Sequence, residues 1–319
     1  MKGTFIVAIA VVFSMLAIPL SSLNAENNTV ISTAKPQENV LYEKTEPQEE
    51  KIKVLKDEKI YEYDVKDYVF GVVAAEMPAL YEKEALKAQA VAAYTYVLYK
   101  KESTSGDYDI SANPMVAQCF ITRQEAAERW GEKANEYAQK IDECIKAVEG
   151  QILVYDNKPI LAAFHAISSG KTNNCSDVWS KDLPYLKSVD SMGDCLCDGY
   201  LSEATFTTEE LAEKLKDVNM ASGEPKNYFS DIKTTDNGYV KELKYCGQTI
   251  RGAKLCELLK LRSSNFEIKF NENAFTFNVK GYGHGVGMSQ TGADYMAKQG
   301  SNYEEILLHY YSGAKLQKN

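Results

Sequence analysis

The sequence predicts an α+β fold of mixed helices and short antiparallel sheets, with a smaller inserted lobe at about residues 190–262. Three observations lead there. The stretch "KEALKAQAVAAYTYVLYKKE" (83–102) places small and apolar residues at 85, 88, 91/92, 95 and 98 and contains no Gly or Pro, which is a helical pattern. Short runs such as "FEIKF" and "FTFNVKG" alternate with period two, as half-buried strands do. Helices and strands follow one another irregularly, without the regular alternation of βαβ units.

The elements follow in order. Residues 1–25 open with Lys2 and stay uncharged to Glu26, with an apolar core from Phe5 to Leu20. Such a segment is a cleaved signal peptide or an uncleaved membrane anchor. Leu23 is large where a cleavage site takes a small residue, and the uncharged run just spans a bilayer of ~30 Å. An anchor is therefore expected, and either way the remainder is exported. Residues 26–52 are polar, acidic and proline-punctuated, as a flexible tether is. The folded domain is 53–319. It begins with a hairpin in "KVLKDEKIYEYDV". A helix follows through "DYVFGVVAAEM", capped by Asp64 or Asp67 and stopped by Pro78. After helix 83–102 comes a helical region over "RQEAAERWGEKANEYAQKIDECIKAVEG", broken near Gly131 and ended by Gly150. "QILVYDNKPILAAFHAIS" reads as a hairpin turning at Asp156-Asn157. "TTEELAEKLKDV" is a short helix with Thr207 or Thr208 as its cap. "YVKELKYCGQTIRG", "FEIKF" and "FTFNVKG" are strands, with the helix "AKLCELLKL" between the first two. "QTGADYMAKQG" is helix-like, and the tail is helical to about Tyr311.

The formal net charge is −9, which argues against a nucleic-acid partner, since neutralising phosphates needs surplus Lys and Arg. Tyrosine is abundant, 21 residues against 11 phenylalanines; its flat face and hydroxyl suit half-buried packing and sugar grooves alike. Seven cysteines leave one unpaired in an oxidising compartment. Cys144 and Cys256 read as small core residues.

Four stretches carry candidate chemistry. "GYGHGVGMSQTGA" (281–293) holds five glycines and His284. It lacks the Lys-Ser/Thr of a phosphate loop and the βαβ setting of a dinucleotide fingerprint. Its consecutive amides suit either a tight structural turn or an anion or acetamido carbonyl. Glu76, in "GVVAAEMPAL", ends an apolar helix against a proline turn. It either reaches solvent or is desolvated there, and desolvation raises a carboxyl pKa into the range of a general acid. "FHAISSGKTNNCSDVW" places His165 at a strand end before a polar turn. His165, Cys175, Cys195 and Cys197 are a loose zinc set; a disulfide from Cys175 to Cys195 or Cys197 fits the same residues.

Three stretches together resemble the stage II sporulation protein D family, which shares a domain with the amidase enhancers. They are "VKDYVFGVVAAEMPALYEKEALKAQAVAAYTY", "FHAISSGKTNNCSDVWSKDLPYLKSVDS" and "GYGHGVGMSQTGADYMAKQGSNYEEILLHYYSGAKL", spread over about residues 60–316. The resemblance implies a peptidoglycan lytic transglycosylase, membrane-anchored outside the cell, acting during forespore engulfment between the mother-cell and forespore membranes. It implies a substrate groove, peptide-stripped glycan strands as substrate, and a cell-wall amidase and a multi-spanning membrane protein as partners. Glu76 matches the catalytic acid. Lys87, Gln89, Tyr94, His165, Ser169, Lys171, Tyr282, His284, Ser289 and Gln290 fall at positions assigned to substrate binding. No cofactor is implied. The chain departs from the family pattern where Tyr94 replaces an arginine and Ser169 a glycine. "DISANPMVAQCFITR" holds only Cys119 where some members carry a Cys and His zinc cluster, so no metal is expected. The alternative is a non-catalytic glycan-binding or amidase-enhancing protein.

Overall fold

A computed structural model describes residues 50–319 apart from 105, 115 and 180. The expected anchor, and the tether as far as residue 49, lie outside the described residues. No helix among the described residues is long and apolar enough to cross a membrane.

The chain opens with the antiparallel hairpin Lys51–Lys56 and Lys59–Asp64. Its turn residues Asp57 and Glu58 take φ of 49° and 62°, the hand that matches a two-residue turn to strand twist. α1 (Val65–Glu76) follows. Asp64 stands at its cap position, but the carboxylate pairs with Lys51 and makes no cap bond to the helix. α2 (Lys83–Ser103) is buried over most of its middle, where alanines let neighbours close in. α3 (Arg123–Trp130) and α4 (Ala134–Ala147) are one helical region divided at Gly131, whose φ is 55°. α5 (Cys175–Trp179) is a single short turn of helix. α6 (Thr208–Leu215) has the reciprocal Thr207–Glu210 cap that its sequence predicts. α7 (Gly252–Leu259), α8 (Gln290–Lys298) and α9 (Tyr303–Tyr310) complete the helices. α1, α4, α8 and α9 all pack on α2.

Buried apolar side chains form two clusters. One joins α1 to α4 with the segments around Ile152–Leu186 and Val286–Ala314. The other runs from Leu211 to Val279 and contains Leu243, Tyr245, Leu255, Phe275 and Phe277. Its sheets are the antiparallel set Phe266–Asn271, Ala274–Lys280, Leu201–Thr207 and the antiparallel set Gln248–Arg251, Val240–Tyr245, Phe229–Thr234. The α+β class is as the sequence predicts. Among the described residues two strand pairings are parallel, Lys51–Lys56 with Ile110–Ser111 and Phe164–His165 with Met288–Ser289. The tail adds a strand, Lys315–Lys318, on Gln151–Tyr155. "KLQK" has one apolar residue and no pattern of its own, so the partner strand dictates it.

Candidate active site

Glu76 is the last residue of α1 and is 8% exposed. Three features place it. Met77 leaves the helix with extended backbone, its amide still bonded to Val73 O at 3.0 Å. Gly71, one turn back, lets the loop at 118–121 lie directly on the helix. A Cβ there would stand 2.3 Å from Ile121 O and 2.4 Å from the Phe120 ring. Gln118 then ties that loop down, its amide donating to the Tyr68 hydroxyl at 2.7 Å and to Ala93 O on α2 at 3.1 Å. The result is one short bond: the Cys119 N–H donates to Glu76 Oε1 at 2.6 Å.

Burial pushes the Glu76 carboxyl up to about 7, against a smaller downward pull from the Cys119 amide and thiol. Near neutral pH it is divided between acid and carboxylate, the state that suits a group that gives and takes one proton. Tyr96 on α2 is near enough that, after burial, the Glu76 charge helps push its hydroxyl up. Neither Cys119 nor Gln118 is legible as a site residue in the sequence, because their roles come through a backbone amide and a loop anchor.

The glycine-rich run is a packed seam. Tyr282 and Ile167 exchange amide bonds of 2.7 and 3.0 Å, and Met288 N–H donates to Ala163 O at 3.0 Å. Gly287, at φ 74°, passes so close to Ala163 that a Cβ would sit 2.0 Å from its carbonyl oxygen. The amides of Gly281, Tyr282, Gly283, Val286 and Met288 all donate inside the protein. Most of the anion or acetamido cradle that the sequence allows is therefore already occupied.

His284 is locked within this seam. Its Nδ1 accepts from the Val286 N–H at 3.0 Å, and its other side bonds to the Phe164 backbone. His165, buried, donates from Nδ1 to Val286 O at 3.2 Å, leaving Nε2 without a partner among the described residues. Burial pulls His284 down to about 4 and His165 down to about 3, the latter helped by His284. Both rings are neutral at physiological pH. They lie 5.7 Å apart, and Trp179 packs on His284 at 4.8 Å.

Asp194 carries no sequence signal, since neither aspartate of "SMGDCLCDG" sits in a recognisable pattern. It is fully buried and joins two of the singled-out stretches. Ser168 N–H and Ser289 Oγ each donate to its carboxylate at 2.8 Å. Ser289 in turn caps α8 by accepting from Gly292 N–H at 3.2 Å. Burial raises the Asp194 pKa while these bonds pull it down.

The other expected residues divide. Gln89 and Gln290 meet in the buried α2–α8 contact, with Gln290 Nε2 3.2 Å from Gln89 Oε1. Tyr282 lies under the Arg262 guanidinium, 4.3 Å from ring centre to cation. Ser169 is held by Tyr239 and Asn237. Lys171 is exposed and pairs with Asp190 at 3.1 Å. Lys87 is bound to Glu84 at 2.6 Å. Tyr94 bonds Glu50 and the C-terminal Asn319, beside Val65 and Val69 at the opposite end of α1 from Glu76. The zinc set of His165, Cys175, Cys195 and Cys197 does not assemble: among the described residues no three metal-ligating side chains converge, and the cysteines are unpaired.

A chain of neighbours links Glu76 to the histidines. Tyr96 and Tyr99 follow on α2, Lys181 bonds Tyr99, and Trp179, two residues before Lys181, packs on His284.

A family model described as Stage II sporulation protein matches residues 55–155. The chain is 36% identical to Stage II sporulation protein D of Bacillus amyloliquefaciens over 258 residues, 80% of this chain and 74% of that protein. To Stage II sporulation protein D of Bacillus subtilis it is 36% identical over 261 residues, with the same shares. To the Amidase enhancer of Bacillus subtilis it is 25% identical over 304 residues, 77% of this chain and 40% of that protein.

Proposed function

The chain belongs to the stage II sporulation protein D family, and from that membership and the buried Glu76 carboxyl we propose that it is a cell-wall protein of sporulation acting as a peptidoglycan lytic transglycosylase. The single observation that carries the enzymatic reading is the buried Glu76 carboxyl, poised at about 7 with one oxygen fixed by the Cys119 amide.

One carboxyl suffices for this reaction. Glycosidases pair an acid with a nucleophile or a water-activating base. Here the protonated Glu76 gives its proton to the bridging oxygen as the bond from the N-acetylmuramic acid C1 to that oxygen breaks. The C6 hydroxyl of the same sugar then bonds to C1, and its proton returns to Glu76. The products are a 1,6-anhydro sugar end and a free N-acetylglucosamine 4-hydroxyl, with no water consumed. Dryness serves twice, keeping the acid protonated and excluding the competing water. In this reading Trp179 and His284 offer ring faces to the glycan, while Lys87 and Tyr94 stand outside the reaction. The domain works outside the membrane on peptide-stripped strands, alongside an amidase and a membrane partner.

The likeness to the Amidase enhancer favours a second reading, glycan binding or amidase stimulation without catalysis. Digestion of stem-peptide-free strands, followed by mass spectrometry, decides. Anhydro-muramyl ends are expected from the wild type and not from Glu76→Gln; their absence from folded wild type leaves the second reading.

A further inference from the structure

We propose that Lys140, Thr291 and Asp294 are positioning residues for Glu76: they clamp the loop that follows it and so keep its carboxyl out of water. This rests on reading Glu76 as the acid of the reaction above and adds what holds that acid in place.

The loop is 77–82, between the end of α1 and the start of α2. Its own turn is closed by the Tyr81 N–H, which donates to Pro78 O at 3.0 Å. Further bonds come from helices distant in sequence. From α4, the Lys140 ammonium donates to Ala79 O at 2.8 Å and to Tyr81 O at 2.6 Å. From α8, Asp294 Oδ1 accepts the Glu82 N–H at 2.7 Å, and the Thr291 hydroxyl meets the Tyr81 hydroxyl at 3.1 Å. Lys298 holds the other Asp294 oxygen at 2.6 Å. The Lys140 and Asp294 bonds each involve a charged group, which makes them roughly twice as strong as neutral ones. Lys140 grips the loop on both sides of Leu80, which is 74% exposed, while Met77 and Ala79 stay buried in the main core.

Met77 adjoins Glu76, so lifting this loop opens the carboxyl to water. The raised pKa of Glu76 comes from burial, against the Cys119 amide and thiol. What keeps the carboxyl buried therefore keeps it protonated near neutrality. The other groups around it are Tyr68 on α1 and Tyr96 on α2, and Arg129 of α3 donates to Ala74 O at 3.3 Å on the last turn of α1. Lys140 and Asp294 touch the loop backbone, so loosening them acts on Glu76 through hydration, and hydration moves it one way, down toward an ordinary 4.5. Thr291 belongs to the glycine-rich run, most of whose amides donate inside the protein. The run thus reaches Glu76 by holding Tyr81, whose hydroxyl also neighbours Asp294, Cys197 and Asp194.

The test uses the full chain with carbon-13-labelled glutamate, the Glu76 carboxyl signal being assigned by its loss in Glu76→Gln. In wild type that signal should titrate at about 7. Lys140→Met with Thr291→Val nearly keeps side-chain volume and removes the donors to the loop; the midpoint should fall by about one unit or more. Thr291→Ser keeps the hydroxyl and should leave the midpoint where it is. If the pair of substitutions prevents folding, Thr291→Val alone is read, with a fall of about half a unit expected. Product formation reports the same change. The pair should lower kcat about fivefold at pH 7 and less than about twofold at pH 5, with KM unchanged. A midpoint that stays at about 7 in folded variants overturns the proposal, as does an equal loss of kcat at both pH values. A lowered midpoint in a chain that makes no anhydro product upholds the clamp and sinks the transglycosylase reading instead.

Discussion

Glu76 and His165 are buried and His284 is half-buried against His165, and loss of water moves the carboxyl and the imidazoles in opposite directions. Burial disfavours whichever form is charged. For the carboxyl that is the deprotonated form, so Glu76 climbs to about 7 and titrates at working pH. For the imidazoles it is the protonated form, so His165 and His284 fall to about 3 and about 4 and cease to titrate there. Histidine is the usual suspect for proton transfer near neutrality. Here the environment transfers that capacity to a glutamate and leaves the histidines as shaped, neutral surfaces.

The largest test of this contrast is a pair of substitutions. Glu76→Gln removes the proton donor and should lower anhydro-product formation by about 10³-fold or more. His284→Ala removes a ring face and the anchor of Val286, and a loss of roughly 10- to 100-fold is expected. Product counts by mass spectrometry, on variants with native circular dichroism, compare the two. Equal and complete loss would make the histidine a chemical participant and end the contrast.

Asp194 probes the seam from the other side. Asp194→Ala would leave the Ser168 amide and the Ser289 hydroxyl buried without their acceptor, and should destabilise by about 2–4 kcal/mol. Denaturant unfolding reads this directly. A change under about 1 kcal/mol would mean that the junction of the two stretches is held elsewhere.

How far the sequence reveals all this depends on the kind of signal. The helices with uninterrupted periods, α2 and the α3–α4 pair, are legible because periodicity and the break at Gly131 are local. So are the two hairpins, whose turn residues are local as well. Glu76 stands out because an apolar helix ends on it. Its pKa is invisible in the sequence, since that depends on a loop over forty residues away reaching Gly71. Tyr94 shows the limit of a purely linear reading. It lies within one helix of Gln89, yet its hydroxyl bonds to Glu50 and Asn319, at the opposite end of α1 from Glu76. Asp194 is legible only in three dimensions, where Ser168 and Ser289 converge on it.

The pH dependence sharpens the contrast further. The activity should be high at acidic pH and fall about tenfold per unit as pH rises above about 7, following the Glu76 carboxyl. No acid limb from the histidines is expected between pH 5 and 7, because both stay neutral there. Stability follows the same group. Its folded pKa is raised from an ordinary 4.5. The stability it confers is therefore full below about 4.5 and is lost as pH rises through about 7. Glu76→Gln escapes that loss, so it should be the more stable protein at pH 8.5, by up to about 3 kcal/mol, with the gap closing below pH 5. Thermal melts across that range check it; a gap independent of pH would place the carboxylate in water rather than in the dry interior.

The smallest expected effect is at Lys171, where resemblance implies substrate contact and the geometry offers another role. Its ammonium is more than half exposed and pairs with an Asp190 that is more exposed still. Exposed pairs of this kind contribute about 0–1 kcal/mol, so Lys171→Ala should leave the unfolding free energy within that range. If the seam only shapes the site, product formation should also stay within about threefold of wild type, since a solvated pair supplies little differential binding. A loss above about tenfold with unchanged stability would show that Lys171 leaves Asp190 for the substrate. The seam would then act on the glycan by charge as well as by shape, and the division between a titrating carboxyl and a neutral seam would no longer hold at that position.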